Sequence, residues 1–201
     1  MKKTFLFAIV MAAAAALSII PAAAQDSAMS AAMPVPMPAV GQAAPGFTLP
    51  SQDGTNISLD QYKGKWVVLY FYPKDMTTGC TIEAHKFQDA QGQFDAKNAV
   101  ILGVSVDSTD SHKQFCAKDG LTFHLLADTN HTVVSEYGSL ASYNGMAMAN
   151  RNTFLIDPTG KIAQVWTKVN PATAASTVLD AIPGGAAPLA PTGATGSVQP
   201  N

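Results

Sequence analysis

The chain has 201 residues, of which 13% are charged, with 12 Lys and Arg against 14 Asp and Glu for a net charge of −2. That balance, with no run of Lys or Arg, excludes the electrostatic footprint of a nucleic-acid binder or of a protein held on an anionic membrane surface. There are only two cysteines, and a domain of this length buries enough surface to fold without a disulfide staple.

Residues 1–24 read as a signal peptide. Lys2 and Lys3 open it, an uncharged apolar run from Phe5 to Ile20 follows, and Ala22-Ala23-Ala24 supplies the small-residue exit ahead of Gln25. The run falls short of the roughly 20 residues a membrane-spanning helix needs, and no cysteine follows the cleavage point for a lipid anchor. The expectation is a periplasmic or secreted mature protein. Residues 25–40 are rich in Ala, Pro and Met and have no helical or alternating period, so they read as a flexible linker. Thioethers at Met29, Met33 and Met37 suit Cu(I), but Pro34, Pro36 and Pro38 argue against the regular helix that would align them. Residues 184–201, of Gly, Ala, Pro and Thr character, read as a disordered tail. One domain, residues 41–183, remains.

Within it strands and helices alternate. Phe47–Leu49 and Asn56–Ser58 flank Asp53-Gly54 as a small hairpin. Trp66–Tyr72, WVVLYFY, is an unbroken apolar run that predicts a strand buried on both faces. A helix over Cys80–Ala96 places Phe87 and Phe94 on one face. Val100–Val106 predicts a second buried strand, and Ser108 or Thr109 caps a helix ending near Gly120. A short strand at Phe123–Ala127 and a short helix at His131–Tyr137 follow. Thr153–Ile156 and Ile162–Trp166 flank Asp157-Pro158-Thr159-Gly160 as a late hairpin. Asn170-Pro171 predicts the start of a last helix running to Ile182. Two buried strands separated by one helix form a βαβ unit, and the hairpin adds antiparallel strands. The expected fold is α/β and thioredoxin-like, a mixed sheet flanked by helices.

Cys80 falls where a buried strand has ended and a helix begins. The first turn of a helix has backbone N–H groups without internal partners and about half a unit of positive charge, which favours a thiolate over a thiol. Pro73 stops the strand, Thr77 carries a hydroxyl that both donates and accepts, and Gly79 lets backbone approach a ligand closely. A cysteine that fills core space is the alternative, and that preceding loop weighs against it.

Pro73-x-x-x-Thr77-x-x-Cys80 resembles the signature of the peroxiredoxins, and FYPKDMTTGCTIEAH resembles the PrxQ, or bacterioferritin comigratory protein, subfamily. The similarity extends from about Gly41 to Ile182 and includes GVSVDSTDSHKQF and NRNTFLIDPTGKI. The resemblance implies thiol-dependent reduction of hydrogen peroxide and organic hydroperoxides by a monomer, without metal, haem or other cofactor, and with a thioredoxin-like protein as reductant. It implies that Cys80 is the peroxidatic cysteine, Thr77 hydrogen-bonds peroxide and thiolate, Pro73 shields the pocket, and Arg151 is the active-site arginine. Glu83 stands where a Cys-x-x-Cys disulfide carrier would need its second cysteine.

The chain departs from the subfamily at one place. Many members resolve the sulfenic acid with a cysteine five positions after the first, and here that residue is His85. Cys116, in SHKQFCAKDG on the next helix, is the other candidate; it is either the resolving thiol or a buried, inert one. The four histidines, His85, His112, His124 and His131, lack metal-ligand spacing and read as surface residues. Met146 and Met148 either line the pocket or pack in the ordinary way.

Overall fold

The structure is a computed structural model that describes residues 36–184. The expected signal peptide, most of the expected linker and the expected C-terminal tail beyond Gly184 lie outside the described residues.

Among the described residues, nine strands and four α-helices follow in chain order: β1 (Thr48–Pro50), β2 (Asn56–Ser58), β3 (Trp66–Phe71), α1 (Thr78–Ala96), β4 (Ala99–Ser105), α2 (Thr109–Asp119), β5 (His124–Ala127), α3 (Thr132–Glu136), β6 (Leu140–Tyr143), β7 (Met146–Ala149), β8 (Thr153–Ile156), β9 (Ile162–Trp166) and α4 (Ala174–Ala181). A 3₁₀ turn, Leu59–Tyr62, leads into β3. The central sheet has the order β5-β4-β3-β8-β9. β3 runs parallel to β4 and antiparallel to β8, so the sheet is mixed, as the βαβ unit and late hairpin predicted.

The unbroken apolar run of β3 follows from its place in the middle of that sheet. Val68, Tyr70 and Tyr72 face one core with Phe87 and Phe94 of α1, Phe115 of α2 and Val178 of α4. Val67, Leu69 and Phe71 face the other, with Phe47, Val134, Tyr137 and Phe154. Neighbouring side chains on a strand alternate faces, so a strand covered on both sides loses its polar positions. Gly103 of β4 sits between Tyr70 and Leu125 in register. A Cβ there would lie 2.8 Å from the Tyr70 ring, so only glycine allows that ring to cross the strand. Cys80 and Cys116 both belong to the Tyr70 side of the sheet.

Helix ends follow their chemistry. The Ser108 hydroxyl accepts from Ser111 N–H, and Gly120 closes α2 in the left-handed region at φ 65°. Two expectations need correction. The last helix starts at Ala174, not at Pro171: Asn170 Oδ1 accepts from Ala172 N–H and Asn170 C=O from Thr173 N–H, forming a turn ahead of the helix. The end of the expected linker, residues 36–40, lies on the domain, with Pro38 buried and Met37 against Gly138.

One element escaped the sequence reading. β6 and β7 pair as a hairpin around Asn144-Gly145, both with positive φ (51° and 79°). That dipeptide is the signal of a type I′ turn, and it places a further two-stranded sheet beside Cys80's loop.

Candidate active site around Cys80

Cys80 is the third residue of α1, whose N-cap is Thr77, and it is 1% exposed. β3 delivers the chain to this point. Tyr72 is buried, Pro73 turns the backbone, and the loop 73–77 crosses the C-terminal end of the parallel strands before the helix starts. Ligands bind at this end of open α/β sheets.

Arg151 arrives from the other side, in the short link between β7 and β8. The link is held at several points. Arg151 C=O accepts from Val169 N–H at 3.0 Å, Asn152 C=O accepts from Phe71 N–H at 2.8 Å, and Asn152 Nδ2 donates to Ser139 Oγ at 3.0 Å. The guanidinium donates through Nη2 to Cys80 Sγ at 3.3 Å, and through Nη1 to Glu83 Oε2. Glu83 lies one turn after Cys80 on α1 and is fully buried. One rigid fork therefore touches two residues of one helix face.

The electrostatics are those of a tight cluster in low dielectric. Burial lowers the Arg151 pKa, but Glu83 and Cys80 outweigh it and hold the group above its ordinary value. Burial pushes the Glu83 carboxyl up to about 7 against the pull of Arg151. Glu83 Oε1 and the Tyr70 hydroxyl are both buried without a partner. Burial, then the charges of Glu83, Cys80 and Cys116, drive Tyr70 far above the usual phenol range, so it stays a neutral phenol.

A cleft of about 450 Å³ opens beside the guanidinium. It is lined by Pro73, Lys74, Thr77 and Arg151 and, from the β6–β7 hairpin, by Ala141, Tyr143 and Met148, which make an apolar wall. Pro73, Thr77 and Arg151 thus line one cleft, while the buried Cys80 does not line it and meets this group through Arg151 Nη2. Two details differ from expectation. The Thr77 hydroxyl donates to Lys74 C=O at 3.1 Å, not to the sulfur, which leaves only its acceptor capacity for a ligand. Gly79 does not line the cleft; a Cβ there would sit 3.3 Å from Arg151 Nη2, so its smallness makes room for the guanidinium. Met148 lines the cleft, whereas Met146 does not and is exposed.

Cys116 is a free thiol on α2, next to the fully buried Phe115 and nearly buried itself. Burial, and secondarily the charge of Asp75, push it up to about 12. His85 holds Asp119 at 3.1 Å, joining α1 to the end of α2. His112 overturns the surface reading: it is fully buried, with Nδ1 2.8 Å from Asp75 Oδ2. Sequence alone could have flagged it through its spacing from Phe115 and Cys116 on an amphipathic helix. Among the described residues no group of three or more His, Cys, Asp or Glu side chains gathers in a way that could hold a metal ion.

A thioredoxin-like sheet carrying one thiol at a helix start, with Glu83 in place of a second cysteine and an arginine against the sulfur, defines the peroxiredoxin class. Comparison with known proteins agrees. The AhpC/TSA family matches residues 40–165. A Coxiella burnetii protein carrying the provisional name peroxiredoxin bcp is 48% identical over 134 residues, covering 65% of this chain and 89% of its own. Crystal structures of a cysteine-to-serine mutant of Xylella fastidiosa PrxQ (TM-score 0.69, 34% identity, 72% of this chain and 95% of that one) and of Xanthomonas campestris bacterioferritin comigratory protein (0.65, 38%, 68% and 89%) share the fold. The chain belongs to the AhpC/TSA family, on its Bcp and peroxiredoxin Q branch.

Proposed function

We propose that the protein is a thiol-dependent peroxidase that reduces hydrogen peroxide and organic hydroperoxides through a sulfenic acid on Cys80, resolved by an internal disulfide with Cys116. The observation that carries this reading is the contact of Arg151 Nη2 with Cys80 Sγ at the first turn of α1, beside an open cleft.

The ionised sulfur attacks one oxygen of the substrate, the O–O bond breaks, and the second oxygen leaves as hydroxide or alkoxide, which takes up a proton. Arg151 faces negative charge before and during this displacement, and preorganised donors of this kind stabilise a transition state without reorganising. Thr77 Oγ1, with its own proton committed to Lys74, accepts a hydrogen bond from the peroxide O–H. Pro73 closes the cleft wall without offering an N–H. The apolar wall of Ala141, Tyr143 and Met148 suits the organic tail of a hydroperoxide; the work on the Xanthomonas campestris protein concerns its alkyl peroxide reduction.

In the second step the Cys116 thiolate attacks the Cys80 sulfur, the S–O bond breaks, and hydroxide leaves. No second copy of the chain is needed, so a monomer suffices. A dithiol of the thioredoxin-like kind then reduces the disulfide. The signal-like residues 1–24 support a periplasmic or secreted setting, where that reductant must also be found; the N-terminal sequence of the mature protein from fractionated cells tests this. The burial of Cys116 favours one rival, a one-cysteine peroxidase whose sulfenic acid meets an outside thiol.

Steady-state consumption of hydrogen peroxide with a dithiol reductant tests the activity. A peroxidase turns over many equivalents; a single stoichiometric oxidation without turnover identifies a sensor and defeats the proposal.

A further inference from the structure

The loop that presents Cys80 is tied to the helix that presents Cys116 through a buried hydrogen bond between a carboxylate and an imidazole. Asp75 Oδ1 accepts from the Tyr72 hydroxyl at 2.7 Å, and Asp75 Oδ2 faces His112 Nδ1 at 2.8 Å. The carboxylate is an acceptor, so Nδ1 carries the proton between them. The His112 and Asp75 side chains are 0% and 1% exposed. Asp75 N–H also donates to Asp107 Oδ2 at 2.9 Å, and Asp107 is fixed by Ser105 Oγ at 2.8 Å, in the turn that leads into α2. Cys116 follows His112 by one helical turn on the same buried face.

Resting on the two-cysteine reading above, we propose that the Asp75–His112 pair is a latch. Closed, it holds loop 73–77 in the form that reduces peroxide; open, it frees the starts of both helices so that Cys116 reaches the Cys80 sulfenic acid.

Four observations converge on this. First, both cysteines are buried and unbonded, each within a helix. A disulfide needs Cα atoms within about 7 Å and matched Cβ directions, so joining these two unbonded, helix-held thiols requires at least one of them to move. Second, the bond joins two fully buried polar side chains, and the desolvation of both offsets much of its attraction, so it suits setting one of two arrangements better than adding stability. Third, the network is incompletely satisfied. His112 Nε2 is buried without a partner, which weakens the closed form. Fourth, Met76, between the latch and Thr77, has φ 57°, a left-handed conformation that an unbranched L side chain adopts at a cost. Strain at Met76 is held by the latch and relieved when the loop opens. The resting Asp75 charge also helps keep the Cys116 thiol protonated, and opening removes that charge together with the burial.

Asp75 and His112 are positioning residues in this scheme, since neither touches substrate. The test is to measure two steps separately by rapid quench and intact mass: peroxide consumption in a Cys116→Ser background, and Cys80–Cys116 bond formation in the two-cysteine protein. Asp75→Asn preserves shape and the bond from Tyr72. Removing a charge-assisted bond shifts an opening equilibrium by about tenfold or more. Because the closed form remains the majority, disulfide formation accelerates by about tenfold while the peroxide step changes by less than about twofold. His112→Leu does the same, and His112→Asn, which restores an amide donor near Nδ1, stays near the wild-type rate. At high peroxide the faster variants also accumulate less sulfinic acid. A folded Asp75→Asn whose disulfide step is unchanged or slower overturns the latch. A wild-type protein that never forms the Cys80–Cys116 bond overturns the two-cysteine reading instead.

Discussion

Arg151 reaches Cys80 Sγ with one nitrogen of its guanidinium, at 3.3 Å, while the other nitrogen is held by Glu83 one turn further along the same helix. The arginine therefore cannot follow the sulfur without losing the carboxylate, and its position is set by α1 as much as by its own strand link. Arg151→Lys keeps the charge but not the fork. A single ammonium satisfies one partner at a time. The second-order rate with hydrogen peroxide is expected to fall by about a hundredfold, the usual cost of one preorganised donor, with little change in melting temperature. Stopped-flow competition against a reference peroxidase measures it; an unchanged rate removes the arginine from the chemistry.

Gly79 makes a subtler prediction. Its φ lies outside the left-handed region, and alanine at the second helical position favours the helix. A Cβ 3.3 Å from Arg151 Nη2 nonetheless forces the guanidinium to give by a few tenths of an ångström. Gly79→Ala is expected to keep or gain thermal stability while losing about tenfold in peroxide rate, a barrier change near 1.4 kcal/mol. Loss of stability in parallel with rate would point to backbone damage instead.

Much of this site was legible before any coordinates. Pro73, Thr77 and Cys80 lie within eight consecutive residues, so one local stretch carries the resemblance to the peroxiredoxin signature that implied their roles; β3 and β4 announced themselves through unbroken apolar runs. The missing parts depend on contacts distant in sequence. Glu83 was noticed only as a residue that is not cysteine, because its partner Arg151 lies 68 positions away. The spacing of His112 from Phe115 and Cys116 marked the buried face of α2 and was passed over; its partner Asp75, 37 positions earlier, has no local signal at all. The β6–β7 hairpin is different. Its Asn144-Gly145 turn was visible, but weakly alternating strands such as LASY and MAMA gave no apolar period to attach it to.

Glu83 predicts a pH dependence of stability. Its carboxyl rises from an ordinary 4.5 to about 7 in the folded protein, chiefly through burial. A group with a raised folded value favours the fold while protonated, so its contribution is complete below 4.5 and lost as pH rises through about 7. Glu83→Gln mimics the protonated form at every pH. Its stability relative to wild type should therefore climb between pH 4 and pH 8, by up to about 3 kcal/mol. Urea unfolding of both proteins across that range checks the slope; parallel curves would show that Glu83 does not titrate there.

Cys116 predicts the pH dependence of resolution. Burial holds its thiol up to about 12, so the folded protein offers almost no thiolate at neutral pH. Attack on the sulfenic acid then waits for opening, after which an ordinary thiol near 8.5 ionises. Disulfide formation should accelerate about tenfold per pH unit from neutrality and level off near 8.5. Quench-flow trapping with a thiol-blocking reagent gives this profile, and a flat one would place resolution with an outside thiol.

The most direct measurement is the intact mass and peroxide consumption of the reduced protein, wild type beside Cys80→Ser, after one equivalent of hydrogen peroxide. The wild type is expected to consume the equivalent and lose two hydrogen masses, while Cys80→Ser consumes none and keeps its mass. Consumption by Cys80→Ser at the wild-type rate would contradict the assignment of the reactive sulfur to Cys80.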